Sequence, residues 1–172
     1  MHETSLLLSE EQILRRVEDL ANQINQDYGS RTLDVLCILK GSLFFSADLI
    51  RLLAMPVRIH FIQVSSYGAS QESSGTVSFH FSSSSELEDR HVLLIEDILD
   101  TGITLEFLLQ HLKQQKPASL RTCVLLNKAS RRKVDVHPGY TGFEIEDLFV
   151  VGYGLDYNEL YRNLPYVAVL NL

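Results

Sequence analysis

The residues best suited to chemistry lie in a short segment that follows an apolar run. Val92–Ile95 has the continuous apolar character of a strand buried on both faces, and Glu96 and Asp97 come directly after it. A third carboxylate, Asp100, precedes a turn made of Thr101, Gly102, Ile103 and Thr104. Small and hydroxyl-bearing residues at a strand-to-helix turn expose backbone N–H groups, and the start of a helix adds partial positive charge. The segment therefore predicts a phosphate-binding turn beside carboxylates that can reach sugar hydroxyls or a divalent cation.

An ordinary structural role is the alternative for these carboxylates, because acidic residues also stabilise the N-terminus of a helix. That explanation would suffice for an isolated Asp-Thr-Gly. Two adjacent carboxylates, a third and Thr-Gly-x-Thr at one strand end favour a functional site instead.

Three other predicted strands are also followed by polar residues. They are Val35–Leu39 with Lys40 and Gly41, Thr122–Leu126 with Asn127 and Lys128, and Leu148–Val151 with the segment from Gly152 to Asp156. In an open parallel sheet, ligands bind beyond the carboxyl ends of the strands. The four strand ends are therefore expected to form one site.

The elements around these residues indicate an α/β fold that would position them. A capping box at Ser9–Gln12 begins an amphipathic helix that ends at Gly29, and further helices are predicted at Leu43–Met55 and Thr104–Gln115. Additional strands are predicted at Val57–Val64, Thr76–Phe81 and Tyr166–Leu170. Strands that alternate with helices predict a single domain over residues 1–172, with a largely parallel central sheet flanked by helices.

Residues 65–90 differ from the rest of the chain because they are rich in glycine and serine. Two interpretations fit this composition: a disordered surface insertion, or a mobile lid over a site. The sequence leaves both open.

Charge and composition restrict the class of protein. The formal net charge of −7 disfavours a nucleic-acid surface. There is no run of roughly 18 apolar residues, so no membrane span is predicted, and the N-terminal residues do not resemble a secretory leader. Cys37 and Cys123 lie in apolar runs, which predicts buried thiols in a reducing cytoplasm.

Other motifs with known chemistry do not occur. The chain has no P-loop, no nucleophile elbow and no His-Glu-x-x-His, and Gly152-Tyr-Gly154 lacks the third glycine of a dinucleotide-binding turn. The basic run Arg131, Arg132 and Lys133 is predicted to be a solvated turn rather than an RNA-binding element.

Taken together, the motifs resemble a known family over nearly the whole chain. Ile95–Thr104 resembles the phosphoribosyl-pyrophosphate signature of type I phosphoribosyltransferases. The order of motifs is similar to that of compact bacterial hypoxanthine (guanine) phosphoribosyltransferases; the motifs are Leu39–Gly41, Ser66–Gly68, the signature itself, Leu126–Lys128, Phe149–Asp156 and Tyr161–Pro165. The resemblance implies the family fold, with a small hood or lid region beside the sheet. It also implies magnesium-dependent transfer of a 5-phosphoribosyl group to a 6-oxopurine, and a homodimer or homotetramer.

For the sugar-phosphate half of the site, the resemblance implies several roles. Glu96 and Asp97 would bind the ribose hydroxyls, directly and through Mg²⁺. Asp100 would be the general base that takes a proton from the purine ring, and the segment from Asp100 to Thr104 would hold the 5′-phosphate. Lys40 and Gly41, with a non-proline cis peptide between them, and Arg162 would hold pyrophosphate.

For the purine half, the resemblance implies that Lys128 contacts the 6-oxo group, that Phe149 stacks on the base and that the Val150 backbone reads its edge. Asp156 would border the purine and help to hold a second Mg²⁺. Ser66 and Tyr67 would lie on the loop that closes over the reacting centre. Relatives often carry a charged segment after the lid strand, where this chain has Ser82–Ser85.

Three alternatives differ from this interpretation. The chain could use another base, such as xanthine, adenine or a pyrimidine, although Lys128 and Phe149–Asp156 favour a 6-oxopurine. It could be a nucleotide- or RNA-binding regulator of the same fold, but such proteins often lack the acid found here at Asp100. A generic nucleotide binder is disfavoured by the missing glycine fingerprint.

Overall fold

The alternating strands and helices produce the predicted parallel sheet. The structure is a computed structural model that describes residues 3–66, 77–81 and 87–171. Its strands are β1 (Thr4–Leu8), β2 (Leu33–Leu39), β3 (Val57–Ser66), β4 (Val77–Phe81), β5 (His91–Leu99), β6 (Ser119–Asn127), β7 (Tyr140–Glu144), β8 (Val150–Val151) and β9 (Val167–Leu170). Its helices are α1 (Glu10–Tyr28), α2 (Leu43–Ile50) and α3 (Ile103–Gln114).

The larger sheet has the order β4-β3-β2-β5-β6-β7. Its neighbouring strands are parallel except for β4, which is antiparallel to β3. The central strands β2 and β5 are buried on both faces, and this explains their continuous apolar runs. Because β2, β5 and β6 are parallel, their carboxyl ends lie along the same edge of the sheet.

Side chains of β5 alternate between two apolar clusters, one on each face of the sheet. Leu93 and Ile95 belong to the cluster that includes the buried side of α1, whereas Val92 and Leu94 belong to the cluster that includes α3. The helix α1 begins with the predicted capping box, in which Ser9 Oγ accepts from Gln12 N. Helices therefore cover both faces of the sheet, as predicted.

The helix α2 is shorter than predicted, because it ends at Ile50 rather than Met55. Asn25 of α1 contributes to the difference, since its side chain binds Ala54 N, which a longer helix would use internally, and also Leu52 O. Asn25 Nδ2 donates to Leu52 O at 3.0 Å, and Asn25 Oδ1 accepts from Ala54 N at 2.8 Å.

A second, antiparallel sheet has the order β1-β9-β8 and corresponds to the small region expected beside the main sheet. The strand predicted at Leu148–Val151 is shortened to β8 and belongs to this small sheet, so its place in the parallel sheet was wrong. The edge position of the parallel sheet is instead occupied by β7, which the sequence analysis missed. Gly142 lies inside β7, and a Cβ at this position would be 2.3 Å from Leu125 O of β6. The close approach of the two strands therefore requires glycine. Glycine weakens the sequence pattern of a strand, and β7 was missed for this reason.

The predicted lid falls mostly outside the described residues. Ser66 is the last residue of β3, while Tyr67 and Ser82–Ser85 lie outside the described ranges. Within those ranges, no helix has both the length and the apolar character needed to cross a membrane.

Candidate active site

A cavity of about 630 Å³ opens at the carboxyl edge of the parallel sheet. This volume lies within the usual range for small-molecule sites. The cavity is lined by six of the residues predicted from the sequence, together with neighbours that were not predicted. The six are Asp97, Asp100, Lys128, Phe149, Val150 and Asp156.

A smaller cavity of about 150 Å³ adjoins the turn between β5 and α3. Glu96, Asp100 and the predicted phosphate-binding residues Thr101, Gly102 and Thr104 line it. Gly102 has φ +83°, a left-handed conformation that glycine adopts at no steric cost. Ile103 is the first residue of α3, so the turn lies at the positive end of a helix dipole.

Glu96 and Asp97 form a closely coupled acidic pair at the end of β5. Burial is the main cause that raises the pKa of both carboxyls, and the neighbouring Asp97 raises the pKa of Glu96 further. Asp97 also accepts a 2.9 Å hydrogen bond from Ile98 N. Two ionised carboxylates here would repel each other in a poorly solvated site, so a cation or a set of hydroxyl donors would stabilise them.

Gly41 packs directly against Asp97. A Cβ at position 41 would lie 1.7 Å from Asp97 Oδ2, and a Cβ at Gly154 would lie 1.9 Å from Gly41 O. Gly41 therefore lets the end of β2 approach the carboxylate of β5, and Gly154 lets the segment after β8 approach Gly41.

Asp100 is linked to the purine side of the cavity by a chain of charges. Arg131 Nε lies 3.0 Å from Asp100 Oδ1, and Arg131 Nη1 lies 3.2 Å from Asp147 Oδ1. Lys128 is buried, and its Nζ lies 3.9 Å from the same Asp147 oxygen. Asp147 and Arg131 were not predicted as site residues, because Arg131 was assigned to a solvated basic turn and Asp147 belongs to no motif.

Arg132 contradicts the prediction of a solvated basic turn. Its guanidinium donates to the backbone oxygens of Leu99 (3.5 Å), Asp100 (3.1 Å) and Val136 and to Asn127 Oδ1. The next residue donates from Lys133 N to Thr101 O at 2.9 Å. The basic segment therefore supports the backbone of the phosphate-binding turn, and only Arg131 and the side chain of Lys133 are exposed.

The predicted pyrophosphate-binding cations come together from distant parts of the chain. Lys40 Nζ lies 2.8 Å from Glu159 Oε2, and Arg162 Nη2 lies 2.7 Å from Asp156 Oδ1 and 3.5 Å from Glu159 Oε1. A non-proline cis peptide is present, but it joins Leu39 to Lys40 rather than Lys40 to Gly41. Glu159 was not singled out from the sequence.

On the purine side, Phe149 presents an exposed ring at the cavity wall, with 45% of the residue accessible. The Tyr157 ring packs edge-on against it, with 5.7 Å between the ring centroids. Val150 is buried in β8. The edge contact leaves a face of the Phe149 ring available for a flat ligand.

Comparisons with known proteins agree with this geometry. Residues 3–158 match the model of the phosphoribosyl transferase domain. The chain is 47% identical to a hypoxanthine-guanine phosphoribosyltransferase of Aquifex aeolicus and 43% identical to one of Bacillus subtilis; it aligns over 96% of its own length with each, and over 93% and 92% of theirs. A crystal structure of a hypoxanthine-guanine phosphoribosyltransferase from Bacillus anthracis superposes with a TM-score of 0.92 at 43% identity, covering 99% of this chain and 100% of that one. The chain therefore belongs to the phosphoribosyltransferase family.

Proposed function

We propose that the protein transfers the 5-phosphoribosyl group from phosphoribosyl pyrophosphate to hypoxanthine, and to guanine, in purine salvage. The products would be IMP or GMP and pyrophosphate. The observation that carries this proposal is that Asp100 lines both cavities, the smaller one at the helix-start turn and the larger one that Lys128, Phe149 and Val150 also line. Relatives at 43–47% identity carry the name of this activity.

The sugar-phosphate half of the substrate fits the smaller cavity. Backbone N–H groups of the turn from Thr101 to Thr104 would hold the 5′-phosphate, helped by the dipole of α3. Glu96 and Asp97 would accept hydrogen bonds from the ribose hydroxyls.

The base fits the larger cavity. Lys128 would donate to the 6-oxo group, since its buried ammonium is suited to a carbonyl oxygen in a poorly solvated site. Phe149 would stack on the purine ring, and the Val150 backbone would bind the edge of the base. Asp156, which also lines this cavity, would border the ring.

The reaction exchanges one bond at the anomeric carbon for another. The bond to pyrophosphate breaks while a purine ring nitrogen attacks from the opposite face, and Asp100 would take the proton that this nitrogen loses. Lys40 and Arg162 would bind the departing pyrophosphate. We also propose that residues 65–90, including Ser66 and Tyr67, act as a lid that excludes water from the reacting centre.

Magnesium fits the donor set of the site. The described residues contain no group of three His, Cys, Asp or Glu side chains placed to hold a metal ion, but Mg²⁺ commonly takes one or two carboxylates and completes its shell with water and substrate phosphates. We propose Glu96, Asp97 and Asp156 as these carboxylates. When bound, the ion would neutralise charge on the pyrophosphate group. This matters because a chain of net charge −7 does not by itself favour binding of a polyphosphate.

We also propose that the protein is a cytoplasmic homo-oligomer, either a dimer or a tetramer. Cys37 and Cys123 are free buried thiols, as is usual in a reducing compartment. Leu43, Ile59 and Phe61 expose between 38% and 50% of their surface around an apolar groove between α2 and β3, which suits burial against a second copy. Light scattering of the purified protein, with Ile59→Glu as the disrupting variant, tests this part of the proposal.

Product analysis tests the function. The protein is incubated with phosphoribosyl pyrophosphate and hypoxanthine, guanine, xanthine or adenine, each with and without Mg²⁺. We expect IMP and GMP in the presence of Mg²⁺ only. A preference for adenine or xanthine would refute the base assignment, and the absence of any nucleotide would refute the proposed activity.

A further inference from the structure

The Glu159 carboxylate lies between the two cations proposed to bind pyrophosphate. Its Oε2 atom lies 2.8 Å from Lys40 Nζ, and its Oε1 atom lies 3.5 Å from Arg162 Nη2. Each carboxylate oxygen therefore faces a different cation. This is the arrangement that an anionic ligand bridging Lys40 and Arg162 would also adopt.

The two cations are held by different parts of the fold. Lys40 follows β2 and is exposed. Arg162 is held more firmly, because its Nη1 donates to Gly154 O at 2.7 Å and its Nη2 lies 2.7 Å from Asp156 Oδ1. Loss of the Glu159 contact would leave Arg162 in place through these two bonds, and Lys40 would become available to another anion.

The position of Glu159 is built into the turn that carries it. Glu159 N donates to Asp156 Oδ2 at 2.9 Å, and the backbones of Tyr157 and Leu160 exchange hydrogen bonds of 3.2 Å and 3.0 Å across the turn. Asn158 and Glu159 have φ values of +52° and +63°, a left-handed conformation that side chains other than glycine adopt only when surrounding contacts impose it. The turn therefore directs Glu159 toward the cations.

Electrostatics agree with this geometry. The negative charge of Glu159 lies 2.8 Å from the Lys40 ammonium and 3.5 Å from the Arg162 guanidinium, so it competes with any other anion for the same two cations.

We propose that Glu159 sets the affinity for pyrophosphate by acting as an internal competitor at the pyrophosphate subsite. In the free protein its carboxylate pairs with both Lys40 and Arg162. Binding of pyrophosphate, or of the pyrophosphate group of the donor, displaces it, and its return speeds release of the product. This inference rests on the proposed function, because it assumes that Lys40 and Arg162 bind pyrophosphate.

Glu159→Gln tests the inference with little change in side-chain shape. The variant replaces one carboxylate oxygen with an NH₂ group and loses the negative charge, so pyrophosphate no longer competes with a carboxylate. We expect the dissociation constant for pyrophosphate, measured by calorimetry with Mg²⁺, to fall about three- to fivefold, which is the scale of an exposed ion pair. The KM for the donor should fall with it, while kcat does not rise.

Two further variants separate this effect from general changes. Glu11→Gln makes the same substitution in an exposed pair with Arg15 on α1 and should leave pyrophosphate affinity unchanged. In a Lys40→Met background, Glu159→Gln should give less than half of its single-variant gain in binding free energy, because one of the two contested cations is gone.

The outcomes distinguish the inference from the function on which it rests. If the wild-type protein forms nucleotide but Glu159→Gln binds pyrophosphate no more tightly, or more weakly, the inference is wrong and the proposed function stands. If the gain is the same with and without Lys40, the competition does not act through the subsite, and the inference is also wrong. If the wild-type protein forms no nucleotide, both the proposed function and the inference fail.

Discussion

Arg132→Met should destabilise the protein and weaken binding of phosphoribosyl pyrophosphate. The substitution keeps much of the aliphatic volume but removes the donor of three acceptors, Asp100 O, Val136 O and Asn127 Oδ1. Leu99 O also loses a bond from Arg132 but keeps its 2.9 Å bond from Lys128 N. An unpaired buried acceptor costs roughly 1–3 kcal/mol. Because Arg132 is only half-buried, water replaces part of the loss.

We take about 1 kcal/mol for each of the three closer contacts and neglect the 3.5 Å bond to Leu99 O, which gives about 3 kcal/mol in total. For a domain of this size, each kcal/mol lowers the Tm by roughly 2–4 °C, so the Tm should fall by about 6–12 °C. Circular dichroism measures this change. Calorimetry with Mg²⁺ measures affinity for the donor, which should weaken because the turn from Leu99 to Thr101 loses its support.

Arg131→Met is the matched control. Arg131 is exposed, and its described contacts are with Asp100 and Asp147 carboxylates and the 3₁₀ turn that contains it. An exposed ion pair contributes about 0.5 kcal/mol, so the loss of both pairs costs about 1 kcal/mol and should lower the Tm by about 2–4 °C. An equal loss of stability in the two variants, or unchanged donor affinity in Arg132→Met, would show that Arg132 does not support the turn.

Three other substitutions test separate parts of the site. Asp100→Asn should keep donor binding and lower kcat at least ~10²-fold, the usual scale for a lost acid–base group; unchanged kcat would remove Asp100 from the mechanism. Asp97→Asn should raise the Tm without Mg²⁺ at pH 8, because burial raises the pKa of Asp97 and so disfavours its ionised form in the folded state. This gain in Tm should shrink as the pH falls through the raised pKa. It should vanish below about pH 4, where the Asp97 carboxyl is protonated in both the folded and the unfolded protein. A gain that does not depend on pH would show that the raised pKa of Asp97 is not its cause. Gly154→Ala should lower the free energy of unfolding by about 3 kcal/mol, because of strain at φ +103° and overlap with Gly41 O. Gly29→Ala is the control, because Gly29 also has a positive φ but has open space around it. Equal costs for the two variants, measured by urea unfolding, would contradict the predicted overlap.

Predictions from the sequence were most successful where one residue pattern determines one local structure. The capping box at Ser9 and Gln12 fixed the start of α1, and the apolar run before Glu96 predicted a buried strand in the middle of the sheet. The strand ends then met at one cavity, because parallel strands place their carboxyl ends along one edge.

Features that depend on distant partners could not be predicted in this way. The strand β7 has five residues with a glycine among them, and β6 rather than local propensity stabilises it. The end of α2 depends on Asn25, which lies in another helix. Arg132 was assigned to solvent because its acceptors are mostly backbone oxygens, and backbone oxygens do not produce a motif in the sequence.

The position of a site residue and its role in the reaction are predicted on different grounds. The structure brings Asp97, Asp100, Lys128, Phe149 and Asp156 to one cavity. Their contacts with substrate and metal are inferred from chemistry and family membership.

The pairing of β1 with β9 has a consequence for how the protein folds during synthesis. Thr4 lies opposite Leu170, so β1 has no strand partner until nearly the whole described chain has left the ribosome. The strands of the larger sheet, by contrast, all pair with one another within the chain up to Glu144. Val150 of β8 also pairs with β9, through Val169. We therefore expect the purine side of the cavity to form last, beside the edge of the larger sheet that has already formed. A nascent chain arrested before β9 should therefore hold a folded core with an incomplete wall for the base.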